Sequence, residues 1–234
     1  MILIDKAHYK NKKFSLAIDL HVKPQSFSAV LGGSGAGKST LLSIIAGFET
    51  LSTGRLWLDG ADMQNISPAD RPVSMVFQDY NVFGHLSVWD NVALGISPSL
   101  KLNMDQNELV NLALTRVGLS QYARRKPGNI SGGERQRVAL ARVLVRKRKI
   151  LLLDEPFAAL DPGLRHDMLD LVSDLKREHG LTVLMVTHQP EEAQRAADQI
   201  IFVAEGHVRE PVPCAEFFKL SSDSAIEAYL GKSR

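Results

Sequence analysis

The stretch Gly32-Gly33-Ser34-Gly35-Ala36-Gly37-Lys38-Ser39-Thr40 constrains this chain more than any other. Its spacing is Gly, four residues, Gly, Lys, then a hydroxyl residue. It follows the apolar run Ser26 to Leu31 and precedes Leu41, Leu42, Ile44 and Ile45, so it stands where a strand feeds a helix. Residues without a Cβ let the backbone fold tightly, and successive N–H groups and the helix N-terminus then point at one anion. In such a loop Lys38 reaches the β- and γ-phosphates of a nucleoside triphosphate, and Ser39 offers its hydroxyl to Mg²⁺. A glycine-rich turn without a ligand is the alternative, and the strand-loop-helix setting argues against it.

Length and charge bound what such a loop can belong to. At 234 residues the chain is long enough for one large α/β domain, or for a core with a smaller appended lobe. Its 44% hydrophobic and 23% charged residues are globular proportions that exclude a disordered chain. Lys and Arg outnumber Asp and Glu by 28 to 26, and a net charge of +2 gives no general attraction to nucleic acid. The single cysteine, Cys214, has no internal disulfide partner, which fits a reducing compartment. Asp5, Lys6 and His8 interrupt the N-terminal region before it can act as a signal peptide, and no run of about 18 apolar residues occurs. The expectation is a soluble, cytoplasmic protein whose contact with a membrane is made through a partner.

Periodicity then places the elements. Phe14, Leu16, Ile18, Leu20 and Val22 alternate with Ser15, Ala17, Asp19 and His21, which predicts a half-buried antiparallel strand. Arg55 to Leu58, closed by Asp59-Gly60, predicts another strand and a turn. Val73 to Phe77 is a β-prone run that delivers Gln78 to a strand end. From Pro98 to Gly118 the pattern is helical, with Asp105 as the cap and Leu109, Leu112, Ala113 and Val117 on one stripe. A second helix opens at Ser131 and runs through Val138, Ala141 and Val145, and Leu164, Met168, Leu171, Val172 and Leu175 mark a third that ends near His179-Gly180. Ile150 to Leu153 is a strand buried on both faces, and Thr182 to Val186 and Ile200 to Ala204 are two more around a helix from Pro190 to Ala197. Alternating strands and helices predict a parallel sheet with helices on both faces, and the mostly helical block from Tyr80 to Lys149 reads as an inserted lobe.

Several polar groups collect around the phosphate loop in this reading. Asp154 and Glu155 end a buried strand, where Asp154 suits a magnesium ion and Glu155 can polarise an attacking water. Gln78 ends another strand and could bind Mg²⁺ or water, while His188 follows the strand Thr182 to Val186 and could bond the γ-phosphate. Ser131 and Glu134 have capping-box spacing, and Gly132-Gly133 between them leaves backbone N–H groups open to a phosphate.

Taken in order, these stretches resemble the nucleotide-binding subunit of an ATP-binding-cassette transporter. The Walker A loop Gly32 to Thr40, the Q-loop at Gln78, the signature Ile130-Ser131-Gly132-Gly133-Glu134-Arg135-Gln136-Arg137, the Walker B run ending Asp154-Glu155, the D-loop Ala158 to Asp161 and the switch His188 span nearly the whole chain. The resemblance implies an α/β P-loop NTPase core with a mostly parallel sheet, an N-terminal antiparallel β subdomain and an inserted helical subdomain. Residues 1–79 and 150–234 would form the core and 80–149 the helical part. It implies ATP and Mg²⁺ as ligands, with Glu155, His188 and Lys38 in catalysis and Ser39, Gln78 and Asp154 at the metal. It further implies a head-to-tail dimer in which Ser131, Gly132, Gly133 and Glu134 contact ATP held by a second copy, with Asp161 at that junction. Tyr9, ahead of the loop, would stack on the adenine. Glu134 departs from the Gln usual in the family, and Pro24-Gln25-Ser26 from a Glu-Gly-Glu-like turn.

Arg71 to Gln78 and Phe83 to Val88 resemble bacterial importer subunits, and Gly95 to Asn103 those of thiamine importers. That implies thiamine or its phosphates as cargo, a periplasmic solute-binding protein that delivers it, and a place on the cytoplasmic face of the inner membrane beside an integral permease. Val82, Phe83, Leu86, Val88 and Trp89 are the expected contact with that permease, or else the lobe's own core. An importer for another solute or anion, and a soluble ATPase without a permease, are the alternatives. A DNA-repair ATPase would need long heptad insertions and a translation factor usually has two cassettes, and neither is present. The basic residues between Arg135 and Lys149 are spread along one helix, so no nucleic-acid partner is expected.

Overall fold

The computed structural model describes residues 1–12, 14–77, 81–220 and 223–231. Its first part holds β1 (Ile2–Lys10), β2 (Ser15–Val22), β3 (Phe27–Gly32), α1 (Lys38–Ala46), β4 (Thr53–Leu58), β5 (Ala61–Asp62) and β6 (Val73–Val76). A helical block follows, α2 (Val88–Ala93), α3 (Met104–Arg116) and α4 (Gly132–Arg146). Then come β7 (Ile150–Asp154), α5 (Pro162–His179), β8 (Thr182–Val186), α6 (Pro190–Ala196), β9 (Gln199–Ala204), β10 (His207–Val208), β11 (Val212–Pro213), α7 (Cys214–Phe217) and α8 (Ser224–Tyr229).

The described strands form one sheet in the order β5-β4-β1-β2-β10-β9-β3-β8-β7-β6, with β11 beside β9. From β9 through β3, β8 and β7 to β6 every pairing is parallel, and these strands are apolar almost throughout because helices cover both faces. At the other end β2, β1, β4 and β5 pair antiparallel and show the inside-outside alternation of a sheet with one wet face. The tight turn between β4 and β5 places Asp59 and Gly60 at positive φ, the conformation of a two-residue hairpin. β10 joins the two regions, parallel to β2 and antiparallel to β9.

The apolar side chains fall into four groups. α1 packs with β1, β2 and one face of the parallel strands, through Leu41, Leu42, Ile44 and Ile45. α4 and α5 cover the other face through Leu140, Met168, Val172 and Leu175. The helices α2, α3 and α4 enclose a third group that includes Val88, Val92, Leu114 and Val138, and α7 and α8 close the last over β9.

Two sequence expectations shift, and one strand lies where the sequence reading placed no element. The segment before Phe14 is a strand, β1, whose alternation is broken by a register shift between Ile4 and Ala7 with Lys6 at φ 39°. The cap of α3 is Asn103, not Asp105, because its side chain accepts from the Gln106 N–H while Gln106 returns a bond to the Asn103 N–H. Its buried stripe is Val110, Ala113, Leu114 and Val117, and Leu112 faces out at 58% exposed, since the packed face of the helix is turned about one residue from the one expected.

Candidate functional site

β3, β7 and β8 run parallel, so Gly32, Asp154 and Val186 finish at one edge of the sheet, the edge where open α/β sheets gather ligands. The loop after β3 turns there into α1. Two of its glycines are required by geometry. Gly32 has φ 153°, and a Cβ on it would lie 2.1 Å from the Val203 carbonyl oxygen. Gly37 is left-handed at φ 107°, and a Cβ there would come within 2.5 Å of the Phe14 ring.

The lysine of the loop is buried. Lys38 Nζ donates to the carbonyls of Gly32 at 2.9 Å and Gly33 at 2.8 Å, which fold the loop around it. Burial lowers its pKa, and the nearby carboxylates of Glu155 and Asp154 push the other way. Ser39 Oγ donates to Asp154 Oδ1 at 2.9 Å. Burial holds the Asp154 carboxyl above the ordinary carboxylate range, opposed by the bond from Ser39 and reinforced by Glu155. Glu155 sits at φ 47° and donates its N–H to the Val186 carbonyl at 3.1 Å, while its Oε1 lies 2.5 Å from His188 Nε2. The strained backbone turns the Glu155 side chain off the strand toward the loop after β8.

These groups surround a cavity of about 440 Å³ lined by Asn11, Phe14, Ser34 to Thr40, Glu155 and His188. A larger and more apolar cavity, about 600 Å³, lies between α3, α4 and the end of α5, remote from these groups. The smaller one is the candidate site, because the buried Lys38 cation, the Glu155 carboxylate and the His188 imidazole line it.

The other candidates are placed differently. Tyr9 does not line the cavity: its ring is 5% exposed in the core shared by α1 and β1, and its hydroxyl donates to Glu49 Oε2 at 2.9 Å. Its face is therefore unavailable to an adenine, and the expectation of stacking is corrected. The aromatic ring on the cavity wall is Phe14, which sequence reasoning assigned only to a strand. Its outward place just before β2 and its nearness to Gly37 were not legible without the fold. Ser131, Gly132, Gly133 and Glu134 lie outside the cavity at the start of α4. Ser131 Oγ accepts from the Glu134 N–H at 3.2 Å and Glu134 Oε2 accepts from the Ser131 N–H at 2.6 Å. Gly133 is buried, and a Cβ on it would approach a Leu164 methyl to 2.2 Å, so close packing on α5 explains this glycine directly. Asp161 caps α5, accepting from the Leu164 N–H at 3.0 Å. Gln78 lies outside the described residues.

The cradle fits a triphosphate and its metal. Ser34 and Gly35 are exposed on the cavity wall, and Gly33 and Gly35 have open space where a Cβ would stand. Among the described residues no three His, Cys, Asp or Glu side chains are grouped as a metal site. A serine hydroxyl and one carboxylate suit Mg²⁺, which takes its remaining oxygens from phosphates and water.

A parallel sheet that brings a glycine-rich phosphate loop, a buried lysine and a strand-end carboxylate pair to one edge defines a P-loop ATPase. The chain belongs to the ABC transporter family, which matches residues 16–158, and it is an ATPase subunit of that kind. It is 48% identical over 233 residues to a thiamine import ATP-binding protein of Brucella suis, covering 100% of this chain and 97% of that one. Among solved structures it resembles the ATP-binding cassette MJ0796 in a dimeric post-hydrolysis state with ADP and Pi, at 28% identity and a TM-score of 0.79, covering 92% of this chain and 99% of that one. It also resembles cbiO1 of Clostridium perfringens, part of the transporter complex cbiONQ, at 29% identity and a TM-score of 0.84, covering 93% and 90%. No helix among the described residues is long and apolar enough to cross a membrane.

Proposed function

We propose that this chain is the ATP-hydrolysing subunit of a bacterial thiamine importer, carrying Mg²⁺ with its nucleotide and working as a head-to-tail dimer beneath a membrane permease. The observation that carries the cargo is the likeness, nearly end to end, to the thiamine import protein of Brucella suis. The likeness to an ADP-bound dimer and to a member of a transporter complex supports the two partners. A periplasmic solute-binding protein would deliver thiamine or its phosphates to the outer face of the permease, and the subunit would sit on the cytoplasmic face of the inner membrane.

In the proposed mechanism Lys38 exchanges the carbonyls of Gly32 and Gly33 for oxygens of the β- and γ-phosphates. Its charge is then set against the group that moves. Ser39 and Asp154 would hold Mg²⁺, with Gln78 as a further ligand. When bound, the ion neutralises charge that builds on the phosphate oxygens during transfer. Glu155 orients a water for in-line attack and polarises it, and His188, already paired with Glu155, holds the closed arrangement at the γ-phosphate. Backbone N–H groups from Ser34 to Thr40 carry the remaining phosphate charge. Ser131, Gly132, Gly133 and Glu134 reach the nucleotide of a second copy, with Asp161 at the junction, and Phe14 packs on the nucleoside in place of Tyr9.

The first experiment is affinity purification from membranes of the source cell. Recovery of a permease whose binding protein holds thiamine supports the proposal, a permease for another solute removes the cargo, and no membrane partner removes the transport role. Alongside it, Glu155→Gln should abolish turnover, by 10²-fold or more as an order of magnitude, while ATP still binds. Unchanged turnover in that variant would take Glu155 out of the mechanism.

A further inference from the structure

A second polar cluster lies behind the cavity, and none of the roles above uses it. Arg165, in the first turn of α5, has a side chain that is 17% exposed and reaches groups on separate segments. Its Nη2 donates to the backbone carbonyl of Leu160 at 2.9 Å, its Nη1 donates to Gln189 Oε1, and its Nε faces Glu192 Oε1 at 3.4 Å as an ion pair. Glu192 is buried, and its other oxygen accepts from Thr187 Oγ1 at 2.5 Å, while Thr187 Oγ1 accepts from the Gln189 N–H at 3.0 Å. Thr187 and Gln189 are the residues on either side of His188. Leu160 precedes Asp161, the cap of α5.

The guanidinium presents its donors in one rigid plane. The Leu160 carbonyl therefore cannot move relative to the residues flanking His188 without breaking a buried charged contact, which is costly. We propose that Arg165 is the positioning residue that ties the seating of His188 to the segment ending at Asp161, so that a second copy of the chain pressing on Asp161 is felt at the imidazole. This rests on the roles given above to His188, Glu155 and Asp161. Arg165 touches no reacting atom, and Glu192 and Thr187 complete the frame around it. Packing of α5 against α6 alone would accept a methionine of similar length at 165, whereas a hydrogen-bonded frame would not.

The test is ATP turnover by the full chain with its co-purified permease. Arg165→Met should lower kcat by about 10-fold or more, with KM for ATP and the melting midpoint close to those of the unmutated protein. Arg165→Lys keeps a cation beside Leu160 and Glu192 and should recover part of the loss. In a His188→Ala background, read by single-turnover chemistry, adding Arg165→Met should cost less than about twofold, because both changes act through one imidazole. An unchanged kcat, a loss carried by KM, or full additivity on His188→Ala would overturn the proposal. Where Arg165→Met fails to fold, Thr187→Val carries the same expectation, and an unchanged kcat there overturns it equally. Glu155→Gln separates the two readings. Retained turnover in that variant removes the catalytic assignment itself, whereas its loss beside an indifferent Arg165→Met removes only the coupling.

Discussion

Phe14 and Tyr9 show how much the environment of a ring decides its use. Tyr9 spends its face on the core and its hydroxyl on Glu49, while Phe14 stands on the wall of the cavity against Gly37. Phe14→Ala should therefore raise the Kd for ATP several-fold, on the order of 1 kcal/mol, whereas Tyr9→Phe should leave it alone and lower stability by about 1 kcal/mol through the lost hydrogen bonds to Glu49 and from Asn11. Titration with a fluorescent ATP analogue and a melting curve on each variant separate the two. Asp154 yields a pH expectation. Its carboxyl is held above the ordinary 3.8 chiefly by burial, so the folded state binds its proton more tightly than the unfolded chain does. That contribution to stability is complete below 3.8 and is lost as pH rises through the raised folded value. Nucleotide-free Asp154→Asn, neutral throughout, should then melt above the unmutated protein at neutral pH, with the gap closing as the solution is acidified. A gap that does not narrow with acid would mean that burial is not what sets this carboxyl.

At the scale of elements, Arg71 fastens the far end of α1. Its side chain is buried and donates to the carbonyls of Ile44 at 2.7 Å, Ile45 at 2.9 Å, Met63 at 3.0 Å and Ile66 at 3.2 Å. The first two lie in the last turn of α1, where the Gly47 N–H also reaches the Ile44 carbonyl at 3.2 Å and a cation is favoured by the helix dipole. Arg71→Met should cost about 2–4 kcal/mol and lower the melting midpoint by roughly 5–15 °C, read by calorimetry, because four acceptors, three of them in buried bonds, lose a donor. That role was not legible in the sequence, since it depends on how far one side chain reaches across space. What could be read was local. Glycine spacing marked the loop at Gly32 to Thr40, an unbroken apolar run marked β7, and Gly180 marked the stop of α5. β1 escaped because Asp5 and Lys6 fill a bulge and break its alternation. The face of α3 was misjudged because Leu109, Leu112, Val110 and Leu114 support two stripes equally, and only packing on α2 and α4 chooses between them. The convergence of Lys38, Ser39, Asp154, Glu155 and His188 followed from a glycine loop that opens α1 after β3 and from three groups placed at strand ends, but the Arg165 frame has no spacing that announces it.

For the whole molecule, the helical block carries the apolar group read from the sequence as either a permease contact or the lobe's own core. Phe83 is 46% exposed there, its ring under the Arg142 guanidinium at 5.5 Å, and its backbone is pinned through the buried Asn91 at 2.8 and 3.0 Å. Val88, by contrast, is fully inside, so the two sequence readings of this apolar group are divided among its members. Phe83→Asp should keep the loop in place, change stability by no more than about 1 kcal/mol, and release the permease on co-purification. Retention of the permease would move the contact elsewhere. The sheet order has a further consequence, for synthesis. β3, which leads into the phosphate loop, has β8 and β9 as its neighbours, and Phe27 must wait for Val183. At ~5–20 residues per second, roughly 150 residues of further translation leave this apolar strand without a partner for about 8–30 s. During that interval the apolar strand of the ribosome-bound chain is open to non-native association, and the nucleotide cradle is assembled only as the last third of the polypeptide emerges.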